Sequence, residues 1–485
     1  MRRARRYCSN EVFREEEALS CEHDRAILPA MRILQVVHDF LPLHVAGVEV
    51  YTDLLSRYLA RDHDVAILCS EVRPEQTNFE IQRRHHEGLL VYEITNNHIF
   101  ENFEETYRHP EIDAQLETLL DEFRPDVIHL QHLINLSFGL VEAAKRRGIP
   151  VLMTLHDHWL ECANGGQRFR NDSGRCETLD ARQCGACTVH MNRMGYAARG
   201  LLARLEGDKS RSAVTTRAIE LARRGAALIG TAQQTRRIRA RWHEVHRLAE
   251  QIDLFVAPSR YLRDEFVDFG FPKEKVIHSD YGFDIDQFES RSELPDRVRR
   301  FGFVGSLVPH KGVHILVQAF ARMPEDASLE ICGALHYAPA YAEGLQANSK
   351  NADIRFIGGR SPEHIPDFLK QIDCLIVPSI WQENSPLTVH EAFMAGIPVV
   401  AARMGGMVEL IRDGGGLLYD ADDPGALHTC LQRLYDEPGL ARSLASSAPP
   451  VKPIKENATE LVQFYLSLSK PTPAAANGRG DRHGL

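Results

Sequence analysis

Nowhere in the 485-residue sequence does an apolar run approach the length needed to cross a bilayer, so the chain reads as soluble or peripheral. Positive charge is not in excess either. The formal net charge is -10, which gives no reason to expect nucleic acid as a partner. Residues Met1 to Ala30 are charged and lack the apolar stretch of a secretory signal, which points to a cytoplasmic protein and makes a disulfide framework unexpected. No G-x-G-x-x-G follows an opening strand, which disfavours a nicotinamide dehydrogenase. With 44% hydrophobic and 26% charged residues, the composition is that of a globular chain, not of a coiled coil, collagen or disordered polymer. Its length exceeds one ordinary core, so two domains are expected.

What is present is a rhythm. Short apolar or β-branched runs alternate with helix-length segments. In the first half the runs are Ile33–Val37, Val65–Cys69, Val91–Ile94, Val127–Leu130, Val151–Leu155 and Leu254–Ala257. In the second they are Phe301–Val304, Leu329–Cys332, Ile354–Ile357, Cys374–Val377, Val399–Ala401 and Leu417–Tyr419. Bounded by Gly, Pro and Asp, they fit strands of parallel sheets covered on both faces. Tyr51, Leu54, Leu55, Tyr58 and Leu59 share one helical face; so do Val313, Leu316, Val317 and Phe320. The fold class expected is α/β, with two Rossmann-like doubly wound domains facing across a cleft. The divisions are a disordered tail at 1–30, a first domain at 31–275, a linker at 276–296 and a second domain at 297–452. A helix at 453–470 crosses back to the first domain, and 471–485 is a second disordered tail.

The segment from about Thr188 to Glu250 breaks the rhythm. It is helical in pattern and rich in arginine: Arg193, Arg199, Arg204, Lys209, Arg211, Arg217, Arg223, Arg224, Arg236, Arg237, Arg239, Arg241 and Arg247. Two readings fit, a solvated helical face or a surface that meets anionic lipid headgroups, as at the inner membrane face, or an anionic acceptor.

The most informative stretch is Trp381-Gln382-Glu383-Asn384-Ser385-Pro386-Leu387-Thr388-Val389-His390-Glu391, at the carboxyl edge of a strand. Ser385 is placed to cap a helix with Pro386 at its first position, leaving free amides for a diphosphate. Glu383 and Glu391, eight positions apart, then touch different parts of one long ligand. Gly405-Gly406-Met407-Val408-Glu409 and Asp413-Gly414 follow. In this order the chain resembles glycosyltransferase family four, whose donor domain carries a Glu, seven residues, Glu motif and then Gly-Gly-x-x-Glu. The resemblance covers roughly Met31 to Ser469.

It implies the GT-B architecture and a retaining glycosyltransferase moving a sugar from a UDP- or GDP-sugar to a carbohydrate or lipid-linked acceptor. By position, Glu383 resembles the carboxylate holding donor-sugar hydroxyls and Glu391 the one binding the ribose; Asn384, Ser385 and Leu387 share that donor loop. Phe303-Val304-Gly305-Ser306-Leu307-Val308-Pro309-His310-Lys311 resembles the phosphate loop, where Gly305 lets the backbone approach and Lys311 supplies charge. Many relatives have Arg where Ser306 stands, leaving Lys311, the helix start near Ser385, His310 and Arg403 to compensate. Val45-Ala46-Gly47-Val48-Glu49 resembles a Gly-Gly-x-Glu loop, with Gly47 facing the donor from the first domain. His156 matches a histidine facing the sugar, whereas His129, His132 and His158 read as structural. With His156, Glu383 and Lys311 as the catalytic set, attack comes from the face the diphosphate leaves, and no metal or cofactor is required for catalysis. Asp284 and Asp286 are therefore not a cation site. Other GT-B enzymes, such as a sugar epimerase, and a non-catalytic nucleotide-sugar-binding protein are the alternatives. The sequence carries no signal for an oligomeric state.

Of ten cysteines, four are bunched as C-x13-C-x7-C-x2-C: Cys162, Cys176, Cys184 and Cys187. The closing C-x2-C is half of a zinc knuckle, and a structural zinc holding an acceptor-side loop is the favoured reading over free thiols or disulfides.

Overall fold

In the computed structural model the described residues are 29–98, 100–170, 174–189, 213–291, 293–349, 352–412 and 414–469, with side chains of the helix Ala213–Gln251 described from 230 onward. Cys8, Cys21, Arg193, Arg199, Arg204, Lys209, Arg211, Asp413, the side chains of Arg217, Arg223 and Arg224, and nearly all of both tails lie outside them.

The first sheet contains β1 (Arg32–Val36), β2 (Asp64–Glu71), β3 (Ile81–His86), β4 (Leu89–Thr95), β5 (Val127–Leu130) and β6 (Val151–Thr154). A short hairpin, β7 (Phe169–Arg170) and β8 (Gly174–Arg175), stands apart; β9 (Leu254–Ala257) and β10 (Val276–His278) complete the sheet. Its order is β10-β9-β6-β5-β1-β2-β4-β3, parallel except for β3. The second sheet holds β11 (Arg300–Val304), β12 (Ser328–Cys332), β13 (Ile354–Gly358), β14 (Cys374–Val377), β15 (Val399–Ala402) and β16 (Gly416–Tyr419). Its order, β13-β12-β11-β14-β15-β16, is wholly parallel and reverses beside β11, the switch point of a doubly wound sheet.

All twelve apolar runs form strands. The strands they did not reveal are β3, β10 and the hairpin. β3 is an edge strand of sequence Ile-Gln-Arg-Arg-His-His, whose polar side chains suit a solvent edge and carry no burial signal. β10 pairs with β9, so Val276–His278 belong to the first sheet and not to a linker.

The second domain has one core around Phe301, Ile331, Leu375 and Val400. The first sheet is buried on both faces. One face packs under the helices Pro110–Phe123 and Gly139–Arg146; the other packs under Gly47–Leu59 and the final helix Ile454–Ser469. That last helix buries Leu461 and Tyr465 on the first domain. The Tyr465 hydroxyl meets His129 Nδ1 at 2.7 Å, and Tyr51 donates to Asn457 Oδ1 at 2.9 Å. Two strand-poor crossings also pair: Phe283 N donates to Lys452 O at 3.0 Å and Ile454 N to Phe283 O at 2.7 Å. The carboxyl edges of β1, β6, β11 and β14 therefore face one cleft.

Candidate active site

The cleft encloses about 500 Å³, a size suited to a small organic ligand. Its second-domain wall begins where β14 ends. The helix Leu387–Met394 starts after Pro386, whose ψ of 123° makes it the flanking residue. Ser385 is therefore one position too early to cap, and its hydroxyl shares a 2.8 Å hydrogen bond with His390 Nε2 instead. The expected serine cap is corrected. No side chain caps the first turn, and the helix start opens on the cleft with free backbone amides.

Glu383 is 5% exposed. Its Oε1 accepts from Lys311 Nζ and from Ser379 Oγ, both at 2.7 Å. Burial pushes this carboxyl up, but the Lys311 cation and the hydrogen bonds outweigh it and hold the group below its ordinary range. Glycines set this loop from behind. A Cβ at Gly405, whose φ is +49°, would sit 2.1 Å from Glu383 O, and one at Gly406 1.7 Å from Asn384 O; Gly406 N donates to Glu383 O at 2.8 Å. Gly312, at φ +69°, likewise lets the Lys311 turn lie against Pro378 O.

Glu391 is the fifth residue of its helix, partly buried on the cleft wall, and burial alone pushes its carboxyl up to about 7. Leu387 lines the cleft opposite Gly47, which opens the helix Gly47–Leu59; a Cβ on Gly47 would lie 3.6 Å from the Leu387 side chain, an ordinary contact. No side chain caps that helix either, so two helix starts converge from the two domains. Gly305 and Ser306 line the cleft beyond the end of β11. Burial, then Lys311, pushes His310 down to about 4, so it is a neutral wall residue. Arg403 pairs with Asp420 on the surface and does not line the cleft. Neither replaces the arginine missing at 306. Among the described lining residues the cationic ones are Lys311 and Arg360, the latter exposed at the rim and not anticipated from sequence.

Two expected ligand contacts are engaged by protein. Asn384 lines the cleft, but its Oδ1 accepts from Ser259 Oγ at 2.6 Å and its Nδ2 donates to Leu155 O and His156 O, each at 3.1 Å. It spans the domains instead of reaching into the cavity. Glu409, the carboxylate of the Gly-Gly-x-x-Glu run, acts beside it by accepting from Arg260 N at 2.8 Å, at the start of the helix Arg260–Asp268. His156 has both nitrogens occupied. Nε2 faces Gln131 Oε1 at 2.7 Å, which makes it the protonated nitrogen, and Nδ1 meets the Tyr281 hydroxyl at 2.6 Å. Burial pushes it down to about 3, and it is a neutral, fixed part of the cleft floor. The neighbouring Asp157 carries the charge: although burial opposes ionisation, His132 and the Trp159 amide hold it down to about 2. That role was hidden because one position separates it from the motif histidine. His129 and His158 are fully buried and hydrogen-bonded, as structural residues are.

Cys162, Cys176, Cys184 and Cys187 form no disulfide and line one small cavity of about 20 Å³. The fold brings all four together, although no three sulfurs lie within 4.8 Å of one another.

Two doubly wound domains facing a cleft with paired glutamates at an uncapped helix start define a GT-B protein. The profile described as Glycosyltransferase Family 4 matches residues 45–287, and that described as Glycosyl transferases group 1 matches 284–449. The chain belongs to glycosyltransferase family 4. A D-inositol 3-phosphate glycosyltransferase of Corynebacterium urealyticum is 31% identical over 42% of this chain and 53% of its own length. The chain thus spans about half of that curated relative. An uncharacterized protein of the cps region of Klebsiella pneumoniae is 21% identical over 79% of this chain and 88% of its own. Among solved structures, Anabaena HepE in complex with UDP and glucose has a TM-score of 0.61 at 16% identity, covering 90% of this chain and all of that one. Sucrose-phosphate synthase of Thermosynechococcus elongatus has 0.63 at 16%, covering 90% and 99%.

Proposed function

We propose that this protein transfers a glycosyl group, with retention, from a nucleoside diphosphate sugar to a hydroxyl of a carbohydrate or lipid-linked acceptor. The observation that carries the reading is the pair Glu383 and Glu391 at two points along one wall, the first on a loop that two glycines buttress and the second on the helix that follows. In this reading Glu391 accepts from the ribose diol and Glu383 from sugar hydroxyls, geometry in which a carboxylate orients as well as binds. The helix start at Leu387 and Lys311 receive the diphosphate as it departs with negative charge. Gly47 brings the first domain against the reacting carbon, and the acceptor enters on the Asp157 side. Front-side attack lets a diphosphate oxygen take the acceptor proton, so His156 need only shape the floor and donor cleavage requires no metal.

A uridine donor is favoured because the solved relative HepE is described with UDP and glucose. The exposed Arg236 and Arg239, on the helix Ala213–Gln251, fit contact with an anionic inner membrane face; among the described residues no helix is long and apolar enough to span a membrane. The four cysteines suit a structural zinc by thiolate chemistry and by sharing one cavity, and binding would draw the sulfurs inward. Elemental analysis of purified protein should then give about one zinc per chain.

The test is thermal shift against UDP-, GDP- and ADP-sugars, followed by donor hydrolysis with and without added acceptor. One stabilising donor and acceptor-dependent turnover are expected. Stabilisation without turnover on any acceptor would leave a binding protein and overturn the reading.

A further inference from the structure

Beside the donor cleft, the carboxyl edge of the first sheet gathers groups that the transfer reaction leaves unused. His38 and Asp39 follow β1, Glu49 lies in the first turn of the helix Gly47–Leu59, and His132 follows β5. One ligand atom from each of His38, Asp39 and Glu49 lies within 4.8 Å of the other two. His38 Nε2 is 3.3 Å from Glu49 Oε1 and 3.8 Å from Asp39 Oδ2. Ligands bound at about 2.1 Å to one ion sit roughly 3.0–3.4 Å apart on adjacent corners of an octahedron or tetrahedron, so small rotations would close this set on a cation.

A second observation asks for a ligand here. Glu49 is 2% exposed, and its Oε2 has no hydrogen-bond partner. His38 Nδ1, on the same cluster, is also buried without one. A carboxylate oxygen taken from water and left unpaired is costly, and no described Lys or Arg is paired with Glu49. The surrounding groups are further imidazoles and carboxylates: His44 Nδ1 lies 4.0 Å from Asp39 Oδ2, but its Nε2 is engaged by Glu71 at 3.1 Å. The His132 ring centroid is 4.5 Å from that of His38, and Asp157, on the cleft wall, lies 3.4 Å from His132 Nε2.

We infer that His38, Asp39 and Glu49 bind a divalent cation, of the Mn²⁺ or Zn²⁺ kind that mixed imidazole and carboxylate donors select. Three protein ligands leave positions for water and for oxygen atoms of an acceptor entering past Asp157. The ion is separate from the diphosphate end, where Lys311 and the Leu387 helix start lie. Only the acceptor role rests on the transferase reading; cation binding does not.

Chelator-treated, desalted protein is titrated with MnCl₂, following free Mn²⁺ by electron paramagnetic resonance. One bound Mn²⁺ per chain is expected, with affinity at least about tenfold weaker in Glu49→Gln and in Asp39→Asn. Mn²⁺ avoids the thiols, so the cysteines do not contribute. If Glu49→Gln loses its fold by circular dichroism, Asp39→Asn, at a partly exposed position, decides. No Mn²⁺ or Co²⁺ binding, or binding unchanged in a folded variant, would overturn the inference. Binding by a protein inactive on every donor would uphold the cation site while removing the transferase reading. With an active enzyme, loss of the ion should raise the acceptor KM and leave donor hydrolysis unchanged.

Discussion

Replacing Glu391 by glutamine probes the cleft most directly. Burial lifts this carboxyl from 4.5 to about 7, so in the ligand-free protein ionising it above pH 7 works against the fold. A raised folded-state value contributes stability that is full below the unfolded value and is lost as pH rises through about 7. A shift of that size corresponds to at most about 3 kcal/mol, less where solvent enters the cleft. Glutamine cannot ionise, so Glu391→Gln should stabilise the empty protein at pH 8 by about 1–3 kcal/mol and scarcely at pH 5. Donor binding runs the opposite way. A ribose diol donates to the carboxylate, so wild-type affinity should rise from pH 6 to 8, whereas the variant, keeping one acceptor oxygen, should bind more weakly with a flat profile. Thermal unfolding at pH 5 and 8, with calorimetric titration of UDP across the same range, measures both signs. A variant that is no more stable at pH 8, with donor affinity tracking pH as in wild type, would refute the placement of a partly buried carboxylate on the cleft wall.

Lys311→Ala should cost on the order of 2–4 kcal/mol in the transfer barrier, read from kcat/KM, and adding Ser306→Arg should recover part of it. Asn384→Ala leaves Ser259, Leu155 O and His156 O without their cross-domain partner; small-angle scattering should show a more open particle, with kcat falling more than donor affinity. Tyr465→Phe leaves His129 Nδ1 deprived of its hydroxyl partner in a fully buried site and should lower stability by about 1–3 kcal/mol in urea unfolding. Donor hydrolysis without acceptor should survive chelation; strict dependence on added Mg²⁺ would return attention to Asp284 and Asp286.

The two-sheet architecture was legible because parallel strands buried on both faces must be continuously apolar. Val127–Leu130 and Cys374–Val377 announce themselves without any knowledge of their neighbours. The loop after β14 was legible for a similar local reason: Glu383, Pro386 and Glu391 stand within one strand-to-helix segment, and Gly405-Gly406 follow the very next strand. What tertiary structure alone decided is how those groups are used. Asn384 sits in the motif, yet its amide is claimed by Ser259 and two carbonyls from more than two hundred residues away in sequence. His156 is held by Gln131 and Tyr281, and Glu49, read only as the end of a glycine loop, meets His38 and Asp39 across a sheet edge. Strand and helix follow from the periodicity of neighbouring residues. Hydrogen-bond saturation, ion pairing and burial depend on distant partners, and only folding brings those together.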